Sequence, residues 1–151
     1  MKKIVASFIF ILALAILAST VWAKRPDSFF SSTIYTVAGI MFSIGLGLIV
    51  TFNPSGVKNR AFLLEIRRNI GNVRNSFLIH FGLTTFYYIL NQYLEKKEYK
   101  FQPFEGFELT FSIPLFLCLL MIYSLIFFIV NFIHIQKLNN DIVDRVNKEQ
   151  E

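Results

Sequence analysis

Residues Thr33 to Phe52 read TIYTVAGIMFSIGLGLIVTF, an apolar run with no Asp, Glu, Lys or Arg. A hydrocarbon core about 30 Å thick takes roughly 20 helical residues to cross. Three other stretches resemble it: Ile4 to Trp22, Ser76 to Leu94 and Phe111 to Ile133, all free of the same four residue types. Together they predict an all-α integral membrane protein. The expected architecture is a four-helix transmembrane bundle with spans at 4–22, 33–52, 76–94 and 111–133. A cytoplasmic loop at 53–75, an outer loop at 95–110 and a cytoplasmic tail at 134–151 complete one membrane domain over residues 1–151.

Composition supports this reading. The chain is 54% hydrophobic and 17% charged, whereas soluble domains carry about 25% charge. The polar segments between the runs are too short to bury cores of their own. A net charge of +5 and a pI near 9.4 would suggest nucleic acid in a soluble protein. In a membrane protein they reflect basic residues held on the inner side. Cys118 is the single cysteine, so no intramolecular disulfide forms. Lys2 and Lys3 followed by an apolar run, with Val21-Trp22-Ala23 after it, resemble a cleavable signal. The run exceeds a usual signal core, and Lys24 and Arg25 would follow the cut at once. A retained first helix is expected.

Orientation follows from the basic residues. With the N-terminus inside, Lys2, Lys3, Lys58, Arg60, Arg67, Arg68, Arg74, Lys137, Arg145 and Lys148 lie in the cytoplasm. Lys24, Arg25, Lys96, Lys97 and Lys100 lie outside. The 53–75 loop sets its basic residues against Glu65 alone. The K/R bias therefore places both termini inside.

Two spans carry patterns beyond hydropathy. In the second, Gly39, Ser43, Gly47 and Thr51 recur every four residues, with Gly45 beside them. That spacing draws a nearly straight stripe of little side-chain bulk. Small residues let helix backbones approach closely in lipid. The stripe serves either packing against another span, or an oligomer interface or pore lining. Gly45-Leu46-Gly47 lacks the strand–turn–helix setting of a dinucleotide site, and Asn53-Pro54-Ser55-Gly56 reads as a helix stop and turn. In the third span His80, Thr84, Tyr87 and Asn91 share a face. Polar groups in hydrocarbon need partners, and the fourth span offers Ser124, Asn131 and His134. Interhelical hydrogen bonding is the plain reading, and a polar lining for water or ions is the alternative. His80 and His134 are expected at similar depth, but no carboxylate is at hand to orient the rings as a metal or haem site needs. The spans' lack of Asp, Glu, Lys and Arg argues against an ion-coupled transporter.

On the inner side, Phe62, Ile66, Ile70, Val73 and Phe77 step by three or four and form an apolar stripe. Arg67, Arg68 and Arg74 stand off it. This amphipathic segment either rests at an anionic leaflet or docks an acidic protein, a nucleotide or a nucleic acid, with Lys58 and Arg60 beside it. In the tail, Ile135, Leu138, Ile142 and Val146 form a second stripe. It would bury against the Phe62/Ile66/Ile70 face, a sister tail or a soluble partner; Leu138 and Ile142 are its candidate contact residues. The outer segment, with Tyr99, Phe101, Phe104 and Phe107, predicts a hairpin or half-dipped loop turned at Pro103 or Gly106. Glu105 and Glu108 there could attract cations to a pore mouth.

No catalytic constellation is present, since acid–base chemistry needs titratable groups converging in a pocket. The expected protein is non-enzymatic and without a cofactor. It is a homo-oligomer, a dimer or tetramer, in a bilayer with an anionic inner leaflet. Its leading role is that of anchor, sensor or scaffold for a cytoplasmic partner. The alternative is an oligomeric channel or permeabilising effector gated by a cytoplasmic ligand. In size, span count and basic inner loop the chain resembles the small multi-span membrane subunits of bacterial antiphage systems, including that of the Kiwa system and effectors gated by nucleotides. That resemblance implies a place in the bacterial inner membrane and a part in phage sensing or ligand-controlled depolarisation.

Overall fold

Two polar side chains set where the central helices begin. Asp27 Oδ1 accepts the Phe30 backbone N–H at 2.7 Å, and Asn59 Oδ1 accepts those of Ala61 and Phe62 at 3.0 and 3.2 Å. Each satisfies donors that a helix start leaves orphaned. A computed structural model describes residues 2–21, 26–52, 57, 59–94, 98–104 and 107–148. Along the chain these form α1 (Lys2–Val21), α2 (Ser28–Thr51), α3 (Arg60–Tyr93), β1 (Glu98–Phe104), β2 (Phe107–Ser112) and α4 (Ile113–Lys148). Residues 22–25, 53–56, Glu105 and Gly106 lie outside the described residues, as do the expectations placed on them.

The helices differ from the expected spans in instructive ways. The amphipathic segment and third span are one 34-residue helix, α3, about 51 Å long at 1.5 Å per residue. The tail continues the fourth span as part of the 36-residue α4. Phe111 and Ser112, assigned to the fourth span, instead close β2. Pro114 falls in the first turn of α4, where a missing N–H costs nothing. Four equivalent spans are not what the helices show. Among the described residues, α2 and the Ile113–Asp144 part of α4 are long and apolar enough to cross a membrane. The apolar part of α1, Ile9–Val21, is shorter. α3 falls below because His80, Thr84, Thr85, Tyr87, Tyr88, Asn91 and Gln92 dilute its second half and Arg67, Arg68 and Arg74 its first.

The chain divides into two compact units. The first is Met1–Thr36 with Leu83–Tyr123. Ile11 packs with Leu117 and Leu120, and Ile34 packs with Cys118 and Met121; Tyr87 lies against both groups. β1 and β2 form an antiparallel hairpin running from Glu98↔Ser112 to Phe104↔Phe107. Its register shifts between Phe101 and Phe104, around Pro103, and a bulge is a place where a strand tolerates proline. The Thr110 and Ser112 N–H groups donate to Thr20 Oγ1 and Ser19 Oγ of α1, both at 3.2 Å. Those hydroxyls supply partners to strand donors that the hairpin alone leaves open.

The second unit is Val37–Gly82 with Ser124–Glu151. Its core is Ala38, Ile49, Phe77, Phe128 and Ile135. The Phe77 and Phe128 centroids are 5.1 Å apart, and Phe42 stacks on Phe81 at 4.2 Å. Helix contact between α2 and α3 runs through Gly45, where any Cβ would collide with the Phe77 ring. The expected Gly39/Ser43/Gly47/Thr51 seam does not perform this packing. Gly39 touches Phe81 only at ordinary van der Waals distance, and nothing lies within 4 Å of a Cβ at Gly47. Ser43 and Thr51 are exposed. The stripe falls on the opposite side of the turn from Ala38, Gly45 and Ile49, which meet α3 and α4.

Replacing Gly45 with Ala should therefore destabilise the protein by about 1–3 kcal/mol, the range for overpacking a filled core. Gly47→Ala should be neutral or stabilising by about 0.4–1 kcal/mol. Unfolding midpoints of the two variants in mild detergent, measured against increasing SDS, check this ordering; equal midpoints would refute the Gly45–Phe77 contact.

Candidate functional site

Three groups of polar residues stand out, each within one unit. In the first unit Ser31, on α2, is fully enclosed. Its hydroxyl accepts from Asn91 Nδ2 of α3 at 2.7 Å and donates to the Asp27 carbonyl at 3.2 Å. Cys118 Sγ of α4 lies 3.4 Å from the same hydroxyl and 3.9 Å from Asn91 Nδ2. One small hydroxyl thus joins three helices. Nearby, Tyr35 Oη meets Thr85 Oγ1 at 3.2 Å, and the Tyr35 and Tyr88 rings stack at 4.4 Å. A cavity of about 140 Å³ adjoins this cluster, lined by Asp27, Ser28, Ser31, Asn91 and Gln92 among others. Asn91 Oδ1 is buried without a donor.

In this unit Asn91 and Thr85 of α3 meet Ser31 and Tyr35 of α2, partners other than the fourth-span residues expected. Ser31 escaped the sequence reading because it precedes the apolar run that begins at Thr33. Its only signal was its i, i+4 spacing to Tyr35 across the start of that run. Thr84 is fully buried, as a polar residue on an inward face must be.

In the second unit His80 Nδ1 reaches Ser124 Oγ at 3.5 Å and the ring stacks on Phe127 at 3.8 Å. This is the cross-helix pairing expected between α3 and α4. Asn131 spends its Nδ2 on the Phe127 carbonyl of its own helix, at 2.9 Å. His134 is exposed, whereas His80 is half-buried. Ser43 and Thr51 likewise donate to the Gly39 and Gly47 carbonyls of their own helix at 2.9 and 3.0 Å.

The third group is the basic row of α3. Arg60, Arg67 and Arg74 fall seven residues apart, and two turns of helix return them to nearly one face. Arg68 stands about 100° round from Arg67. All four are exposed. Arg67 makes no ion pair or hydrogen bond among the described residues, and Arg74 donates only to its neighbour Asn75, at 3.4 Å. Lys58 lies outside the described residues. On α4, Ile135 and Ile142 are buried and Leu138 is half-buried. Ile70 and Val73 of α3 pack on the cluster that contains Ile135. Through Ile142 the tail's apolar stripe is therefore turned inward in this unit. Its outward residues are Lys137, Asn140, Asp141, Val143 and Asp144.

No protein-family model matches the chain, no curated protein matches it, and no solved structure matches it.

The Ser31 junction has a testable asymmetry. Ser31→Ala takes the best partner from an Asn91 side chain that already has one unsatisfied atom, and should cost about 1–3 kcal/mol. Asn91→Leu removes both polar atoms and keeps the volume, so it should cost less. Adding Asn91→Leu to Ser31→Ala should restore part of the loss. Chemical unfolding of the three variants in detergent checks this order.

Proposed function

We propose that the chain is a multi-pass protein of the bacterial inner membrane that anchors a cytoplasmic partner on the basic face of α3. The observation that carries this reading is the contrast along α3 and α4. Their apolar sections leave Leu78, Ile79, Phe86, Ile126, Val130 and Ile133 exposed, Ile79 by 63%. Beyond those sections, α3 presents a row of arginines with no acidic partner among the described residues. On α2 only 22% of the apolar window is buried, and on α4 39%. A core helix of a soluble domain buries most of such a surface. Hydrocarbon solvates it without cost.

In this reading α1 and α3 cross the bilayer with α2 and α4, and both termini lie inside. The polar second half of α3 is tolerated because Thr84 is enclosed and Asn91, Thr85 and His80 have partners on neighbouring helices. The arginine row and the outward residues of the α4 extension face the cytoplasm, and guanidinium groups there fit carboxylate or phosphate. The protein's layout, similar to that of antiphage membrane subunits, extends the role to sensing at the envelope.

A second reading, an oligomer that conducts ions, has support in the exposed Ser43/Gly47/Thr51 face of α2. Its hydroxyls are turned back on their own backbone, so the face is smooth and nearly neutral. That suits close contact with a second copy better than a wet pore.

A cysteine introduced at Asn72 should react with a membrane-impermeant maleimide only after the inner membrane is opened. Labelling in intact spheroplasts would reverse the orientation. Arg60→Glu combined with Arg68→Glu should strip co-purifying proteins from the detergent-extracted chain while leaving its membrane insertion intact. An unchanged set of co-purifying proteins would sink docking at this face. Purified protein in planar bilayers should stay electrically silent; steady currents that Gly47→Leu abolishes would favour the channel instead.

A further inference from the structure

We propose that a groove formed by the end of α2 and the middle of α3 binds one anionic phospholipid, with Arg67 and Arg74 holding its phosphate. This rests on the membrane reading above and adds a specific ligand to it. The groove lies wholly within the second unit and encloses about 330 Å³. Its walls are Ile49, Val50 and Phe52 from α2, and Arg67, Ile70, Gly71 and Arg74 from α3.

The lining has two chemical halves. Ile49, Val50, Phe52 and Ile70 form an apolar surface, and Val50 is 81% exposed. Arg67 and Arg74 flank that surface, two turns apart on one helix, which is about 10 Å along its axis. Among the described residues no carboxylate lines the groove, and no acidic side chain pairs with either arginine. Two guanidiniums, of which only Arg74 has a partner among the described residues, Asn75, are suited to a phosphodiester, which they can grip through paired N–H bonds. Gly71 sits between them. A Cβ there would meet nothing within 4 Å, so a larger side chain at this position would enter the groove.

A soluble nucleotide or free phosphate would satisfy the arginines and leave Val50 and Phe52 against water. A phospholipid satisfies both halves, with the phosphate between the arginines and its glycerol and upper acyl chain on Ile49, Val50 and Phe52. The volume falls at the small end of ligand pockets, enough for that portion of a lipid. The place is also right. α2 ends its apolar run at Thr51, and the arginines of α3 stand opposite its last turn, so the groove falls where hydrocarbon gives way to headgroups. Anionic lipids of an inner leaflet attract basic residues at that level. Arg60 and Arg68 do not line the groove and remain available to a cytoplasmic partner.

The test uses the full chain purified in a non-ionic detergent. Native mass spectrometry counts bound dioleoyl phosphatidylglycerol against dioleoyl phosphatidylcholine supplied in equal amount. One phosphatidylglycerol should be retained in preference. Arg67→Gln with Arg74→Gln should weaken that retention by about tenfold or more. Gly71→Leu keeps both charges but fills the groove, and should weaken it comparably; its unfolding midpoint should not fall, because open space surrounds the new side chain. Arg68→Gln should change nothing. Equal retention of both lipids, or phosphatidylglycerol retention untouched by Gly71→Leu, would overturn the proposal. Displacement of the lipid by inorganic phosphate or ATP at comparable concentration would reassign the site to a soluble anion and also overturn it. Failure of the membrane reading looks different: the chain would then be recovered from cells without detergent.

Discussion

More apolar side chain is present here than the folded chain can enclose. Phe29, Val50, Leu78, Ile79 and Ile133 remain exposed although the helices that carry them are packed on their other sides. Between its ends a helix pairs its own backbone donors and acceptors, so an apolar exterior carries no penalty where the solvent is hydrocarbon. The same exterior in water would be a continuous liability. The remaining features follow from that constraint. Several polar residues of the apolar helices meet across helices, as Ser31 meets Asn91 and His80 meets Ser124, and the charges of α3 and α4 lie outside their apolar sections. Close packing must then come from shape, because apolar surfaces gain little from leaving lipid.

Shape is supplied in the second unit by one small residue and one large one. Gly45 leaves a hollow on α2, and Phe77 of α3 fills it. Around Phe77 lie Phe128, Ala38 and Ile49, so the ring has nowhere else to go. In the first unit polar contacts do the equivalent work. Ser31 links Asn91 and Cys118, and Ser19 and Thr20 hold the hairpin to α1. Hydroxyls are effective here because each is small enough to sit between helices and still donate and accept.

The basic row of α3 divides by position, with Arg67 and Arg74 lining the groove and Arg60 and Arg68 outside it. Arg67 and Arg74 overlook the apolar groove at the end of α2, where a lipid phosphate would be held. Arg68 points round the helix, and Arg60 lies two turns before the groove. A membrane anchor benefits from this division. On the proposed reading, charges occupied by lipid would fix the depth of the helix, while the others would stay free to meet a soluble partner. Ile135 and Ile142 of the α4 extension are buried in the same unit.

Much of this was legible in one dimension. Length and charge exclusion in Thr33–Phe52 and Phe111–Ile133 mark helices fit for a bilayer. Helical periodicity put Thr84 on an inward face and Ile66, Ile70 and Val73 on an apolar one, because helical spacing is a property of the chain itself. What periodicity lacks is the identity of the neighbour. It marked the polar side of α3 but paired it with α4, whereas in the first unit Ser31 and Tyr35 of α2 answer it. It counted Gly45 as an accessory to the Gly39–Thr51 stripe, whereas Gly45 receives Phe77 and Gly47 faces open space. Both outcomes turn on how helices are rotated against each other. That rotation is decided by the best simultaneous fit of many side chains, and no single segment contains it. The arginine groove has the same origin: its charges are written in α3, but its apolar wall is the last turn of α2, brought alongside only by folding.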